Sequence, residues 1–331
     1  MGDGPLRVTS YRHAGVDLEA ADRHTDSITE AVTNTWKTEI IGGFGGFAAG
    51  VRLPDGFDDP VLMMSTDGVG TKLEVARRAE SWDGVGFDLV AMCVDDLAAV
   101  GAHPLGFVDY LAVGSLRPAR DRAIVESVAA ACLQAGCPLL GGETAEHPGV
   151  MDLDAVDLAG AVMGVAEAAE SLGPNRVESG DVVIGLRSPN LRSNGFSLIR
   201  AVLGDEIVTH AETLLEPSVI YSPSVLAAVV TGGVRSAAHV TGGGLAANLA
   251  RSLPVGLGAE IDSGAWERPD VFQMISERGV PEEEMRRTFN LGIGFCLVVD
   301  PTAEAAVSSA VSMHDPATIG VVTDGDAVVL A

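Results

Sequence analysis

The sequence predicts an α/β protein with two domains, and three observations support this fold class. The chain has 331 residues, which is enough for two compact domains. Segments with apolar residues at helical spacing and short apolar runs typical of strands occur in both halves. A polar stretch that contains Gly, Pro and Asn, residues 170–181, interrupts this pattern. We therefore expect an N-terminal domain over residues 1–170 and a C-terminal α/β domain over residues 171–331.

The first half contains both kinds of element. The stretch up to Trp36 is polar and weakly patterned, so no element is assigned to it. The glycine-rich stretch 42–50 is interpreted as a loop or a sheet-edge segment. After it the pattern predicts a strand over 60–66, a helix beginning near Lys72, a helix over 85–101, a strand over 104–114, a helix over 118–136, and strands over 138–142 and 154–167.

The second half mixes helices and strands in a different order. Strands are predicted over 182–186, 237–242, 292–300, 318–324 and 327–331, and helices over 194–203, 223–230, 245–253 and 302–313. In neither half do the strands alternate regularly with helices. This excludes a doubly wound sheet, which requires that alternation.

Composition and charge exclude several classes of function. Hydrophobic residues make up 47% of the chain, which is enough for a substantial core. The net charge of −25 argues against binding to nucleic acid or anionic lipid, because both need clusters of Lys and Arg. No uncharged apolar run reaches the ~18 residues of a membrane span, the N-terminus lacks a signal peptide's apolar core, and the four cysteines form no CxxC pair. We therefore expect a cytoplasmic protein that binds neither nucleic acid nor membrane.

The acidic composition allows two interpretations. The chain has 46 acidic residues against only 21 lysines and arginines, and two of these are lysines. Such a surface is typical of proteins adapted to concentrated salt, where the screening length falls to ~3 Å at ~1 M and repulsion between acids is muted. An arginine-biased genome that codes for a moderately acidic protein would give the same composition. Both interpretations stay open at this point.

The sequence STDGVGTK, residues 65–72, follows the first predicted strand and carries one of the two lysines, Lys72. Asp67 stands where the strand is expected to end. Gly68 and Gly70 give the backbone a wider choice of conformations before the next helix. Backbone N–H groups at a helix start, with a lysine nearby, suit a phosphate group. The spacing is not that of a Walker loop, and a plain Asp-Gly turn with a solvated lysine explains the same residues.

The predicted helix over 85–101 carries an acid on its apolar stripe. A helical wheel places Asp96 between Met92 and Val100 on this stripe, whereas Asp95 points more to the side. A carboxylate on a buried stripe is costly unless a cation or a hydrogen-bond donor meets it. We therefore interpret Asp96 as a site residue. A capping or salt-bridged Asp at a domain interface is the alternative.

A third acid, Glu143, follows two glycines at the end of the predicted strand 138–142. Mg²⁺ takes oxygen ligands, usually one or two carboxylates together with substrate phosphates. Asp67, Asp96 and Glu143 are therefore expected to share one nucleotide–metal site.

Two segments of the second half could bind anions or could serve as ordinary caps and turns. Together with the first half they predict a cleft between the domains, with a nucleotide on one side and a second anionic substrate on the other. The residues concerned are Arg192, Ser193, Asn194, Thr241, Gly242, Gly243 and Gly244.

The motifs of nearly the whole chain resemble those of a known family. Phosphoribosylformylglycinamidine cyclo-ligases, also called AIR synthetases, show the same order of YRHAGVD, GGFGGFAAG, STDGVGTK, MCVDDL, GGETAEHPG, SNGFSLIR, HVTGGG and RTFNLGIG. The resemblance implies a ligase that uses ATP to close the ring of formylglycinamidine ribonucleotide, through phosphorylation of its amide oxygen. The product is 5-aminoimidazole ribonucleotide, an intermediate of purine synthesis. The resemblance also implies a homodimer in which N-terminal strands of both subunits form a β-barrel.

The resemblance assigns roles to residues as well. It implies that Asp67, Lys72 and Asp96 are catalytic, with Lys72 meeting the charge on the transferred phosphoryl group. Mg²⁺ is expected on Asp67, Asp96 and Glu143. The nucleotide is expected to contact Gly42, Gly43, Gly45, Gly46, Asp67, Gly68, Gly70, Thr71, Lys72, Asp96 and Glu143. The second substrate is expected to contact Arg192, Ser193, Asn194, Thr241, Gly242, Gly243 and Gly244.

Some positions depart from the family pattern. Arg12 and His13 replace the usual Lys and Asp, and Asp95 replaces an Asn. Arg192 stands where many members of the family have His. Because arginine does not exchange protons near neutrality, the chain either does without that histidine or uses Arg192 as a fixed phosphate clamp.

Related functions stay open. A thiamine-phosphate kinase or a selenophosphate synthetase of the same superfamily would also use ATP. The latter generally needs an early reactive cysteine, whereas the first cysteine here is Cys93, within a predicted helix. A non-catalytic nucleotide-binding scaffold is a further alternative, against which the cost of unpaired buried carboxylates argues.

Overall fold

The computed structural model describes residues 15–331 and places them around two large β-sheets. Arg12 and His13, which depart from the family motifs, lie outside the described residues. A four-stranded sheet with its helices forms the first half, and a six-stranded sheet with its helices forms the second. This confirms the predicted α/β class. Over the described range, no helix has both the length and the apolar character of a membrane span.

The N-terminal domain begins with a helix and a two-stranded hairpin, and continues as a four-stranded sheet with further helices. Its elements are α1 (Leu18–Asn34), β1 (Ile40–Ile41), β2 (Gly50–Val51), β3 (Pro60–Gly68), α2 (Lys72–Ala79), α3 (Val85–Ala99), β4 (His103–Val113), α4 (Pro118–Ala135), β5 (Leu139–Glu146) and β6 (Val156–Glu167). The sheet order is β3-β6-β4-β5, in which β4 and β5 are parallel and the other pairs antiparallel. The elements predicted between residues 60 and 167 are confirmed.

Helix α1 is absent from the sequence-based prediction. Its buried side chains are only His24, Ile28 and Val32, and most of its other residues are polar, so its apolar content is too low to suggest a buried helix. The helix nevertheless begins at a recognisable signal, because the Asp17 carboxylate accepts hydrogen bonds from two N–H groups of the first turn. Capping therefore identifies this helix where periodicity does not.

The C-terminal domain is built on the six-stranded sheet. Its elements are β7 (Val182–Arg187), α5 (Phe196–Leu203), α6 (Ala211–Leu214), α7 (Ser222–Val229), β8 (Val234–His239), α8 (Gly244–Ala250), β9 (Leu257–Ile261), α9 (Asp270–Ser276), α10 (Glu282–Thr288), β10 (Ile293–Val299), α11 (Glu304–Ala310), β11 (Ala317–Asp324) and β12 (Val328–Leu330). The sheet order is β12-β9-β11-β7-β10-β8. The prediction lacks α6, β9, α9 and α10, which are all short elements of four to seven residues.

The two domains pack closely against each other. The connection between them runs from the end of β6 to the start of β7, and the predicted boundary at 170/171 lies within it. Ala98 of α3 belongs to an apolar cluster formed otherwise by the C-terminal domain, and Val75 of α2 belongs to another. Helix α3 packs on its own sheet on one side and contacts α7 and β8 on another. It is therefore the central element of the interface.

The two faces of the N-terminal sheet differ in character. Helices cover one face. On the opposite face, called here the outer face, Leu62, Met64, Val108 and Tyr110 are between 42% and 75% exposed. The strand register places these side chains on the same side of the sheet. An apolar sheet face of this kind indicates a contact surface.

All four cysteines are buried and carry free thiols. Burial raises the pKa of Cys137 and of Cys296 to about 12, and also raises the pKa values of Cys93 and Cys132. They are small core residues, as their spacing in the sequence predicts.

Candidate active site

The acids of α3 differ from the sequence-based prediction. The helical wheel places Asp96 on a buried stripe, but in the structure its side chain is 46% exposed at the cleft between the domains. Asp88 and Asp95 are instead fully buried. The helical wheel assumes a single buried stripe. Helix α3 is instead enclosed on two sides, by its own sheet and by the C-terminal domain, so its buried surface is much wider than one stripe.

Lys72 is fully buried. Its ammonium group donates to Asp88 at 2.8 Å and to the carbonyl oxygens of Arg192 and Glu216 at 3.1 and 3.0 Å. These acceptors use all three N–H donors of the ammonium group. Burial lowers the pKa of Lys72, and the nearby Asp88 opposes this fall. This corrects the prediction that Lys72 meets the transferred phosphoryl group, because in the structure it joins the two domains.

Arg192 is fully buried as well. Its Nη2 donates to Asp95 at 2.7 Å and its Nη1 donates to the carbonyl oxygen of Gly294 at 3.2 Å. The guanidinium carbon lies 4.9 Å from the centre of the Tyr221 ring. A clamp on a substrate phosphate needs an accessible guanidinium group. The prediction that Arg192 binds the second substrate is therefore corrected, since the structure pairs it with Asp95.

Asp67 and Asp96 form the acidic side of the cleft. Asp67 lies at the end of β3 and accepts a hydrogen bond from the N–H of Gly68 at 2.7 Å. Asp96 accepts from the hydroxyl of Ser65 at 3.1 Å and pairs with Nδ1 of His239 at 2.9 Å. Because an ionised carboxylate only accepts, the His239 proton is on Nδ1. Its Nε2 is buried and has no hydrogen-bond partner in the part of the chain that the structure describes.

The electrostatics of this pair fit a divalent cation. Partial burial raises the pKa of Asp67, and the negative charge of Asp96 adds to that rise. Burial acts on Asp96 in the same direction, but hydrogen bonds from His239 and Ser65 outweigh it and hold the pKa of Asp96 below its ordinary value. Two neighbouring carboxylates, one of them firmly ionised, are the donor set that Mg²⁺ takes when a nucleotide supplies the remaining oxygens.

Glu143 does not belong to this pair within one chain. The strand register places Asp67 and Asp109 on one face of the N-terminal sheet and Glu143 on the outer face. Asp67 and Glu143 are separated by three strand spacings, or about 14 Å. Among residues 15–331 no group of three His, Cys, Asp or Glu is arranged to hold a metal ion. The structure therefore does not bring the three predicted acids together within one chain, and Mg²⁺ binding by Asp67 and Asp96 stays a prediction.

The predicted nucleotide-binding residues fall into two groups. The first group, Gly43, Gly45, Gly46 and Glu143, lines a cavity of about 560 Å³ beside α1. Gly42 begins this loop with a φ of +97°, and a Cβ there would lie 2.3 Å from a backbone oxygen, so the turn requires glycine. The second group stands at or near the cleft and comprises Asp67, Gly68, Gly70, Thr71 and Asp96.

Polar groups of both domains meet along the cleft. The hydroxyls of Thr71 and Ser197 lie 3.0 Å apart, at the starts of α2 and α5. The Asn194 side-chain oxygen accepts from the N–H of Gly242 at 3.1 Å. Ser193 donates to a backbone oxygen of α3 at 3.5 Å. The structure therefore brings together the Ser193 and Gly242 segments that the sequence predicts for the second substrate, and it excludes Arg192 from them.

The glycine turn before α8 has a defined shape. Gly243 and Gly244 have φ values of +100° and +72°, and a Cβ on Gly244 would lie 1.9 Å from a carbonyl oxygen of α10. The Asn248 side chain donates to the carbonyl oxygens of Thr241, Gly242 and Gly244 at 3.2, 3.3 and 2.8 Å. The turn is thus rigid while its Gly242 end is exposed to the cleft. Substrate binding by this turn stays a prediction.

His239 is a residue of the cleft that sequence reasoning did not select as a site residue. It precedes the glycine turn at the end of β8 and is buried against Phe295, with ring centroids 6.0 Å apart. Its partner Asp96 lies 143 positions earlier in the chain. A histidine at the end of an apolar strand was the available signal, but no local pattern could pair it with that acid.

Comparison with known proteins points to one family. Residues 46–166 match the AIR synthase related protein, N-terminal domain, and residues 178–331 match its C-terminal domain. The chain is 46% identical over 310 residues to a phosphoribosylformylglycinamidine cyclo-ligase of Synechococcus sp. (strain CC9605), which covers 90% of this chain and 90% of the relative. It is 44% identical over 331 residues to the protein of that name from Anaeromyxobacter sp. (strain K), with 96% of each covered.

Solved structures share the fold at lower identity. The thiamine-monophosphate kinase of Stenotrophomonas maltophilia K279a aligns with a TM-score of 0.67 at 20% identity, covering 92% of this chain and 95% of that one. The hydrogenase maturation protein HypE in complex with ATP aligns with a TM-score of 0.67 at 18% identity, covering 90% and 86%. At such identities the likeness shows the fold alone. The much higher identity to the cyclo-ligases over most of the sequence shows that this chain belongs to the phosphoribosylformylglycinamidine cyclo-ligase family.

Proposed function

We propose that this protein uses ATP to close the ring of formylglycinamidine ribonucleotide, giving 5-aminoimidazole ribonucleotide, ADP and phosphate. The relatives that match nearly the whole chain carry the name of this ligase. The observation that carries the proposal is the cleft between the domains. There Asp67 and Asp96 of the N-terminal domain face His239 and the exposed Gly242 turn of the C-terminal domain. Such a cleft can hold a nucleotide beside a second substrate.

The chemical problem is that an amide oxygen is a poor leaving group. In the first step the amide oxygen attacks the γ-phosphorus of ATP, so that an O–P bond forms and the bond to ADP breaks. In the second step the amine of the same substrate attacks the activated carbon, a C–N bond forms, and the oxygen leaves as phosphate. No nucleophile of the enzyme is required. The protein has to position the substrates and stabilise charge on the phosphoryl group.

Asp67 and Asp96 are the residues that would hold Mg²⁺. The ion, when bound, supplies positive charge to phosphate oxygens during transfer. His239 and Ser65 each occupy one oxygen of Asp96, at 2.9 and 3.1 Å, and so fix the orientation of this carboxylate. Hydrogen bonds of this kind to a ligating group maintain the geometry of a metal site. His239 is therefore proposed as the residue that positions Asp96.

ATP is proposed to lie along the segment that joins β3 to α2. Gly70 and Thr71 are exposed there, and the Thr71 hydroxyl lies 3.0 Å from the hydroxyl of Ser197 in the other domain. The bound ATP of HypE, a protein with the same fold, supports nucleotide use in this architecture. Lys72 has no part in this proposal, because its ammonium group is buried against Asp88.

A homodimer is proposed from the outer face of the N-terminal sheet. The exposed Leu62, Met64, Val108 and Tyr110 would be covered if two such faces met in a barrel. Glu143 pairs with Tyr110 across β4 and β5 and shares this face. Its proposed role at the nucleotide site thus depends on the dimer, which could bring Glu143 towards the cleft of the partner chain.

The dimer is tested by placing a charge on the outer face. Met64 is 75% exposed, so Met64→Glu should fold normally but oppose contact between two apolar faces. Light scattering during gel filtration should show a dimer for the wild type and a monomer for the variant. Val255→Glu is the matched control, because Val255 is fully exposed on the C-terminal domain. A monomeric wild type, or a variant that stays dimeric, contradicts the proposal.

The activity is tested by incubating the protein with Mg²⁺, ATP and formylglycinamidine ribonucleotide. We expect phosphate and aminoimidazole ribonucleotide in equal amounts, and neither product when one substrate is omitted. Transfer of phosphate to thiamine phosphate instead would indicate a kinase. ATP binding without release of phosphate from any of these mixtures would indicate a non-catalytic scaffold. Either result would overturn the proposed reaction.

The proposed location of this reaction is the cytoplasm. All four cysteines are unpaired thiols, which suits a reducing compartment.

A further inference from the structure

The domain interface contains two buried carboxylates on one face of α3. Asp88 and Asp95 stand seven residues apart, which is about two helical turns, and both are fully buried. Each meets a cation, Lys72 at 2.8 Å and Arg192 at 2.7 Å. Removing one partner of such a pair leaves an uncompensated charge in the interior. The pair of Asp95 and Arg192 joins the two domains directly, and Lys72 joins them through its hydrogen bonds to the carbonyl oxygens of Arg192 and Glu216.

The pair of Asp95 and Arg192 connects several segments. One oxygen of Asp95 accepts from Arg192, and the other accepts from the N–H groups of Tyr221 and Ser222 at 2.9 and 2.8 Å. Arg192 also donates to the carbonyl oxygen of Gly294 at 3.2 Å and lies over the Tyr221 ring. The pair thus joins α3 of the N-terminal domain to the start of α7, to Gly294 in β10, and to the loop before α5.

Arg192 also has an unusual backbone conformation. Its φ is +57°, in the left-handed region that residues with a Cβ rarely adopt. The Asn190 side chain accepts from its N–H at 3.0 Å, and Lys72 donates to its carbonyl oxygen at 3.1 Å. Such a conformation persists where the surroundings determine it strongly. Two residues later, Asn194 accepts from Gly242 in the cleft.

We propose that Arg192 is a positioning residue, whose ion pair with Asp95 holds Asn194 and the Gly242 turn at the cleft without touching either substrate. The catalytic part of this inference rests on the proposed function. Asp95 and Arg192 are 97 positions apart in the sequence, and the structure shows that they contact each other. An Asp–Arg ion pair and a neutral Asn–His pair both leave no net charge in the interface, whereas a mixed pair leaves one buried charge.

The test is a double-mutant cycle with Asp95→Asn, Arg192→His and the combination of both. We expect each single variant to lower the unfolding midpoint and to lower kcat by about tenfold or more, because small errors in positioning are costly. The double variant should return kcat to within about threefold of the wild type, since the coupled partners are exchanged together. The midpoint should recover in parallel.

The control cycle uses an exposed ion pair. Arg122 and Glu126 on α4 are 54% and 43% exposed, and a single hydrogen bond of 2.7 Å joins them. Arg122→His, Glu126→Gln and their combination should change kcat little and show almost no coupling, because exposed pairs contribute little. Coupling as large here as in the buried cycle would overturn the inference.

Three outcomes of the buried cycle contradict the inference. In the first outcome, KM is raised in Arg192→His, stays raised in the double variant, and is normal in Asp95→Asn. That result would show direct contact between Arg192 and substrate. Lower midpoints with unchanged kcat would show a role in stability alone. If Arg192→His does not fold, Asp95→Asn decides, and a wild-type kcat in that variant overturns the proposal.

Failure of the proposed function gives a different result. The wild type itself would then lack turnover in the cyclo-ligase assay. In that case the rise of the unfolding midpoint with Mg²⁺-ATP replaces kcat as the measurement. A smaller rise in both single variants, restored in the double variant, supports the positioning role, and an equal rise in all four proteins overturns it.

Discussion

Asp95 and Asp96 are neighbours in the sequence and have opposite surroundings. Asp95 is fully buried and binds Arg192 and the backbone N–H groups of Tyr221 and Ser222 at the start of α7. Asp96 is 46% exposed, and its two hydrogen bonds orient it at the cleft. The same residue type therefore supports structure at one position and is available for ligands at the next. The difference shows that acids must be assigned by their partners rather than by their motif.

The largest effect is expected when a buried ion pair of α3 is broken. Lys72→Met leaves Asp88 charged in the interior, so the free energy of unfolding should fall by about 3–5 kcal/mol. Urea titration measures this change. Lys37→Met is the matched control, because Lys37 is exposed and should be almost neutral when replaced. A normal unfolding curve combined with lost turnover would instead restore the phosphate-binding role of Lys72.

Substitution of the acid that is exposed at the cleft should leave the fold intact and reduce catalysis. Asp96→Asn removes the charge proposed to hold Mg²⁺, so kcat should fall about 10²–10³-fold, the size of effect seen when one group that stabilises a transition state is lost. Steady-state kinetics and thermal unfolding measure the two properties together. Asp26→Asn, on the exposed side of α1, is the control. Turnover near that of the wild type would refute the proposed metal site.

A smaller effect that depends on pH is expected for Asp109. Burial raises the pKa of Asp109 to about 7, whereas an unfolded Asp titrates near about 3.9. Between these values the folded protein binds more protons than the unfolded chain, so this residue makes stability fall as the pH rises. Asp109→Asn should remove this dependence and raise the unfolding midpoint at about pH 7.5 more than at about pH 5.

The comparison for Asp109 uses an exposed acid. Asp324→Asn at the end of β11 should leave the pH dependence unchanged. The gain in Asp109→Asn is limited to a few kcal/mol, because each pKa unit corresponds to about 1.4 kcal/mol. An unchanged pH dependence in Asp109→Asn would show that Asp109 is not the group responsible.

The smallest effect concerns the many exposed acids. If the net charge of −25 reflects adaptation to salt, the unfolding midpoint should rise between about 0.1 M and about 2 M KCl, because added ions screen the repulsion. Differential scanning fluorimetry at several KCl concentrations measures this change. Equal midpoints would favour the alternative, a moderately acidic protein from an arginine-biased genome.

The sequence predicts the architecture better than the surroundings of single residues. Strands such as β3 and β4 have strong local signals, and both are confirmed. Helix α1 was not predicted, because few of its residues are apolar and its buried side chains include His24. For the site, the sequence predicted Asp67, Asp96 and the Gly242 turn, and the structure places them at or near one cleft.

The errors at the site have a common physical cause. Lys72 and Arg192 were expected to bind phosphate because cations beside glycines do so in many proteins. Their buried partners, Asp88 and Asp95, come from α3, and no local pattern shows such contacts. His239 was missed for the same reason, since its partner Asp96 is 143 positions away. Long-range pairing of charges decides these roles.

The four enclosed thiols have a practical consequence. Thiol reagents attack the thiolate at an accessible sulfur, and this protein presents neither in its native state because every cysteine is buried. A maleimide dye in excess therefore labels only molecules whose interior has opened transiently. The labelling rate measures how often the interior opens under native conditions. The four natural cysteines therefore report local unfolding without any engineered label site.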